Sequence, residues 1–243
     1  MTAFPRLTSP LELRHKTLRN RITFGAHTAN MSVNGLPGDQ FGAYLLERAL
    51  GGAGMIVAEP VPVHRTGVLT RGNFLAEDDA VIPAFRRILD PVKDAGAVVL
   101  QQLYHVGQHG DSDLSYQPHW GPSGQPSYHD SDGSHAMTGA EIEEMIAAFV
   151  AAARRCQQAG FDGVEIWAAY HSLLDQFWTP WSNRRDDQWG GSLENRARAL
   201  GVTQLELTAA SDNARGIRFY ERCGFRYVAT RPNAVIMREG PLD

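Results

Sequence analysis

Four apolar runs of strand length, each followed by a segment of helical length, constrain this chain more than any other feature. The runs are RITFGAH from Arg21, GMIVAEPV from Gly54, AVVLQQL from Ala97 and FDGVEIW from Phe161. GMIVAEPV is apolar almost throughout, the pattern of a strand buried on both faces. Between the runs, DQFGAYLLERALGG places Phe41, Leu45 and Leu46 at helical spacing, and IPAFRRILDPVKDAG is helical but interrupted or kinked at Pro91. A long irregular stretch, His105 to Ala136, follows the third run. Thr138 and Glu141 then form a capping-box pair for a helix whose face carries Ile142, Met145, Ile146, Phe149, Ala153 and Cys156, closed by Gly160. Ser192 can cap a further helix beginning LENRARAL. Strand and helix in strict alternation imply a parallel sheet with helical crossovers. A (β/α) barrel of the TIM type takes about 250 residues, so the region before residue 200 supplies about four βα units, half of one.

Beyond Gly201 the order changes. VTQLELTA reads as a strand, Asp212 caps a helix NARGIRFYERC, and Gly224 closes it. FRYVATR and AVIMR are separated only by Pro232 and Asn233, a gap suited to an antiparallel hairpin. The residues alone also leave open a fifth barrel unit here. The expected organisation is therefore α/β: a partial (β/α) TIM-type barrel over 1–199 and a short β-α-β-β segment over 200–243.

Several function classes find no support. The formal net charge of -4 provides no basic footprint for nucleic acid or an anionic membrane. The N-terminal stretch MTAFPRLTSPLELRHK lacks the apolar core of a signal peptide, and no run reaches the ~20 apolar residues of a membrane span, so a cytoplasmic protein is expected. Cys156 and Cys223 lie too far apart for a metal-ligand pattern and read as buried thiols. There is no GxGxxG after a strand, no P-loop, no GxSxG elbow and no HExxH. His105 and His109 are spaced like a helical metal pair, but Gly107 between them argues against a helix, and His119, His129 and His135 are scattered through a polar loop. No metal site is expected.

Ligands of parallel β/α architectures bind beyond the C-terminal strand ends. Those ends carry His27-Thr28, Glu59-Pro60, Gln102 to His105, and Trp167 with Tyr170-His171. Polar groups and aromatics converging from four neighbouring strands suit a planar ligand with hydrogen-bonding edges, such as a flavin.

On these residues the chain resembles the old yellow enzyme family of FMN-dependent NADH:flavin oxidoreductases. The resemblance runs from about residue 4 to 198, through SPLELRHKTLRNRITFGAHTANM, YLLERALGGAGMIVAEPVPVHRTG, LQQLYHVGQ and AGFDGVEIWAAYHSLLDQFWTPWSNRRDDQWGGSLENRAR. The last block is the most specific. FGAHTANM and VPVH resemble the branch containing 2,4-dienoyl-CoA reductases and N-methyl-amine demethylases. The resemblance implies FMN as cofactor, NAD(P)H as electron donor and a small organic substrate. It places Thr28 near the flavin carbonyl and N5, lines the ring with Ala26, His27 and Pro60, sets Gln102 on the pyrimidine edge, and gives His105 the support of that strand end. Trp167 and Tyr170 replace family residues that hold the substrate carbonyl, with His171 one step further on. Tyr170 or His171 could then orient a substrate or donate a proton. The branch's iron–sulfur cluster needs cysteines this sequence lacks, so no cluster is implied.

The resemblance also implies a barrel cut short at about residue 198, without the later loops that grip the FMN phosphate. Exposed sheet edges would then favour self-association into a homo-oligomer. The tail LELTAASDNARGIRFYERCGFRYVATRP resembles the C-terminal end of GCN5-related N-acetyltransferases. That likeness would give Asn213 a contact to coenzyme A and Tyr220 the role of general acid. Three functions stay open: a flavin oxidoreductase, an acetyltransferase fragment using acetyl-CoA, and a non-enzymatic fusion or truncated product.

Overall fold

The computed structural model describes residues 4–110, 116–127, 133–199, 206–210, 214, 217–218, 221, 225–231 and 234–239. The chain divides into two compact units, 1–176 and 177–243.

In the first unit four strands form a parallel sheet: β1 (Thr23–Phe24), β2 (Met55–Pro62), β3 (Val98–Tyr104) and β4 (Gly163–Ile166). They lie side by side in chain order, each pairing with the next. Three helices make the crossovers: α1 (Asp39–Leu50), α2 (Val81–Asp94) and α3 (Gly139–Ala159). This is the alternation expected from the sequence, built from local chemistry. α3 starts at a full capping box, with the Thr138 hydroxyl accepting from the Glu141 N–H and the Glu141 side chain accepting from the Thr138 N–H. It ends at Gly160, whose φ of +96° is the left-handed conformation that glycine adopts at least cost.

The core lies between sheet and helices. Ile56, Ala58, Val99 and Leu103 of the sheet are buried with Phe41, Leu45, Phe85, Leu89 and Val92 of the helices. Phe41 meets Phe74 at 4.8 Å between ring centroids, and Phe85 meets Phe161 edge-on at 5.1 Å. Asp162, just before β4, ties the layers together. Its carboxylate accepts from the Val99 N–H and from Lys16 and Lys93. Burial works to raise the pKa of that carboxyl, but these donors prevail and hold it below its usual value.

Three local expectations need correction. α2 is continuous over 81–94, so Pro91 does not interrupt it. On α3 the buried face is Ile142, Met145, Ala152, Cys156 and Ala159, whereas Ile146 is 44% exposed. The RITFGAH run contributes only Thr23 and Phe24 to the ladder; the remainder turns away as a loop. Three short ribbons, Leu11–Glu12 with Thr17–Leu18, Ser32–Val33 with Leu36–Pro37, and Trp120–Gly121 with His135–Ala136, were not anticipated.

In the second unit, Asn183 folds the block that follows Trp178 by donating its amide to the carbonyls of Phe177 and Trp189. Arg185 pairs with Asp187, and Ser192 accepts from the Asn195 N–H at the start of α5 (Leu193–Ala199), after the short α4 (Leu173–Trp178). Asn183, Arg185 and Asp187 thus act as a local clamp. Strands β5 (Glu206–Ala210), β6 (Phe225–Arg231) and β7 (Ala234–Glu239) form an antiparallel sheet in the order β5-β7-β6. The β6–β7 hairpin agrees with the sequence reading, and it is not a barrel unit.

Candidate functional site

Every candidate flavin-site residue lies in the first unit at or just beyond the C-terminal ends of β1 to β4. Asn213 and Tyr220 of the acetyl-CoA reading lie outside the described residues, as does His129.

After β1 the chain carries Ala26, His27 and Thr28 in a loop without regular secondary structure. Ala26 and Thr28 are half-buried and His27 is exposed, its Nδ1 3.0 Å from the Tyr44 hydroxyl of α1. The segment is fixed to β2 by Ala29, whose N–H donates to Glu59 Oε2 at 2.7 Å. Pro60, next along β2, is buried.

β3 supplies the centre. Gln101 is fully buried and donates to the carbonyl of Glu59 at 2.5 Å, locking β3 to β2. Gln102 alternates to the other side of the strand, is half-buried, and donates its amide to Glu165 of β4 at 2.5 Å. Tyr104 is buried and donates its hydroxyl to Asn73. Burial pushes its phenol well above the usual value.

His105 is 1% exposed and its tautomer follows from its partners. The Gly107 N–H donates to Nδ1 at 2.9 Å, so Nε2 carries the proton and donates to the Thr66 hydroxyl at 2.9 Å. Thr66 in turn donates to His64 Nδ1 at 2.8 Å. Burial, assisted by His64 and His119 nearby, lowers His105 to about 3, so the ring is neutral. Neutral and saturated, it braces the strand end. Two glycines make room for it. A Cβ at Gly67 would lie 2.5 Å from the His105 ring, and one at Gly107, where φ is +66°, would lie 2.1 Å from Gln176. Gly107–His109 forms a single 3-10 turn rather than an α-helix, and His109 Nδ1 lies 3.0 Å from the Ser127 hydroxyl. Among the described residues, no group of three or more His, Cys, Asp or Glu side chains could hold a metal ion.

Beyond β4, Trp167 donates its backbone N–H to the Leu103 carbonyl, and its ring packs tilted against Tyr104 with centroids 5.2 Å apart. Tyr170 and His171 then occupy the left-handed region in succession, with φ of +54° and +61°. Neither is glycine, so the turn stores strain and must be held from outside. Asp175 accepts from the His171 N–H, and Gln176 donates to the carbonyls of His171 and Val106 while accepting from Gln108. The result presents Tyr170, 79% exposed, and His171 at the edge of the strand ends.

Gln102 lies on β3 and His105 just past it, and the Trp167 backbone joins β3 at the Leu103 carbonyl. Gln176 ties His171 to Val106, and Ala29 ties the segment carrying Ala26 to Thr28 to Glu59, the neighbour of Pro60. The supporting set Gln101, Glu165, Thr66, Asp175 and Gln176 had no role in the sequence reading. Its one available signal was the pairing of polar residues with strand ends, which does not distinguish a ligand contact from a brace. The set has the donors, acceptors and flat apolar surfaces that an isoalloxazine ring needs: the Gln102 amide for a pyrimidine edge, the Thr28 hydroxyl, and Pro60 with Ala26 as walls.

A model of the NADH:flavin oxidoreductase / NADH oxidase family matches residues 6–219, running past residue 198, where the resemblance was expected to end. The chain is 38% identical over 210 residues to a metal reductase of Desulforamulus reducens, covering 86% of this chain and 31% of the relative. It is 32% identical over 215 residues to an N,N-dimethylglycine/sarcosine dehydrogenase of Chromohalobacter salexigens, covering 86% of this chain and 30% of that protein. Among solved structures, an old yellow enzyme homologue from Zymomonas mobilis superposes with a TM-score of 0.75 at 30% identity, over 81% of this chain and 57% of that one. The chain thus spans about a third of the length of these two curated relatives.

Proposed function

The chain belongs to the NADH:flavin oxidoreductase / NADH oxidase family, and from that premise we propose that it binds FMN at the strand ends of β1 to β4 and acts as an FMN-dependent oxidoreductase. The observation that carries this reading is Gln102, a half-buried amide on an inner strand of the four whose C-terminal end is held by the buried His105. Such a group matches the polar edge of a planar ring, while Pro60, Ala26 and the Ala29–Glu59 bond shape the wall beside it. FMN, when bound, supplies reversible acceptance and release of hydride. NAD(P)H is the donor and a small organic molecule the acceptor.

Within this reading the residues divide the work. Thr28 offers its hydroxyl to the ring, Gln102 orients it, and His105 keeps the β3 end rigid. Trp167 contributes a flat apolar surface to the substrate side. Tyr170 and His171, on their strained turn, are the groups available to orient a substrate or deliver a proton. The part-barrel organisation over 1–199, the acetyltransferase-like segment over 200–243, and a homo-oligomer that covers sheet edges belong to the same proposal. Its support for the segment is the antiparallel order of β5, β7 and β6.

Anaerobic mixing of the FMN-supplied protein with NADH and with NADPH tests the activity. Flavin absorbance should bleach faster than that of free FMN with at least one nicotinamide. Bleaching at the rate of free FMN with both would end the proposal.

A further inference from the structure

Glu59 stands in β2 with 2% of its surface exposed. Its Oε2 accepts from the Ala29 N–H at 2.7 Å, and the Asn30 backbone adds a second bond. Its Oε1 is buried and has no partner. On β3, Gln101 uses its amide N–H groups on the carbonyls of Glu59 and Gln102, and its Oε1 is also buried without a partner. An ionised carboxylate here would hold a charge away from water with one oxygen unsatisfied, a costly state. A proton on that oxygen removes the charge and turns an orphan acceptor into a donor.

The carboxyl is joined to the segment Ala26–Asn30, the same segment that the flavin reading places against the ring. We propose that Glu59 is a positioning residue for that segment, and that it takes up a proton when an isoalloxazine ring covers the β1 and β2 strand ends; the inference rests on the flavin reading. A ring seated on Ala26 to Thr28 replaces the bulk water beyond that segment with low-dielectric matter, and so raises the cost of the already buried charge further. Binding and proton uptake are then linked, and the neutral form is the one that binds tightly.

Burial already pushes this carboxyl to about 7 against the pull of the Ala29 and Asn30 N–H groups, so at neutral pH an ionised fraction remains to be neutralised. The titratable and charged groups on the flanking elements are Tyr104 and His105 on the β3 side, and His27 with Asp39, Tyr44, Glu47 and Arg48 of α1 on the β1–α1 side. Tyr104 feels the Glu59 charge directly and is held neutral, and His105 is neutral and saturated.

Riboflavin is the probe, because it has the ring without a phosphate that titrates near neutrality. Calorimetric titration in two buffers of different ionisation enthalpy, just above neutral pH, reports the protons taken up. The wild-type chain should take up roughly half a proton or more per ring, and its affinity should fall several-fold per unit as pH rises beyond Glu59's range. Glu59→Gln should bind with no such uptake and a flat profile. Equal uptake in both chains would overturn the inference while leaving the flavin reading intact. Failure of the wild type to bind riboflavin or FMN would overturn both. Infrared difference spectra of the wild type keep the test independent of the variant's folding: a protonated carboxyl band must appear on riboflavin binding, and its absence contradicts the proposal.

Discussion

Gln102 of β3 and Glu165 of β4 are register partners in the parallel sheet, and the Gln102 amide donates to the Glu165 carboxylate at 2.5 Å. The pairing engages the amide nitrogen and leaves the carbonyl oxygen as the acceptor that a ring N–H requires. Gln102→Ala should weaken FMN binding by about tenfold, the scale of one hydrogen bond. Glu165→Ala removes only the brace and should cost about two- to threefold. Titration of FMN into each variant measures both, and unchanged affinity and spectrum in Gln102→Ala would end that assignment.

The Glu59 carboxyl gives stability a pH signature. Its folded value, about 7, lies above the ordinary carboxyl value of 4.5. Its contribution is therefore fully present below that ordinary value and is lost as pH rises through 7. The difference amounts to about 3 kcal/mol at most, from ~1.4 kcal/mol per unit. Urea unfolding of the wild type and Glu59→Gln between pH 5 and pH 8 should show the wild type losing stability relative to the variant across that window.

His105 has the opposite sign. Burial lowers its folded value to about 3, so its stabilising contribution is present above the ordinary imidazole value of 6.5 and declines as pH falls toward 3. His105→Gln should destabilise the protein near neutral pH, because the bridge from Gly107 to Thr66 is lost. The same variant should flatten the acid limb of the stability profile, because it carries no imidazole to take up a proton.

Gly107→Ala should destabilise by about 2 kcal/mol or more, since the residue sits at φ +66° and a Cβ would meet Gln176 at 2.1 Å. Thermal melts of Gly107→Ala and Gly160→Ala separate the causes. At Gly160 nothing lies within 4 Å, so only the backbone term remains and the loss should be smaller, about 1 kcal/mol.

Much of the first unit is legible because its signals are local. Thr138, Glu141 and Gly160 specify both ends of α3, and four apolar runs specify a parallel sheet in chain order. The Asn34-Gly35 pair, with φ of +53° and +77°, is an equally local signal for the ribbon Ser32–Pro37, and it went unused in favour of the longer periodic segments. What the sequence withholds are the braces: Thr66 reaching His105 across 39 positions, Gln101 reaching Glu59 across 42, and Gln176 reaching Val106 across 70. No spacing rule encodes such contacts, because they exist only once the strand ends have come together. The α3 face was misjudged at Ile146 for a related reason: helical periodicity orients a stripe only approximately, and the sheet it packs on decides which residues are covered.

The central claim is that the strand ends of β1 to β4 hold a flavin ring. Its most direct test is the visible spectrum of FMN titrated with the purified chain. A saturable shift of the flavin absorption band with quenched fluorescence, reaching one FMN per chain, is the predicted result. A spectrum that stays that of free FMN at every protein concentration would contradict it.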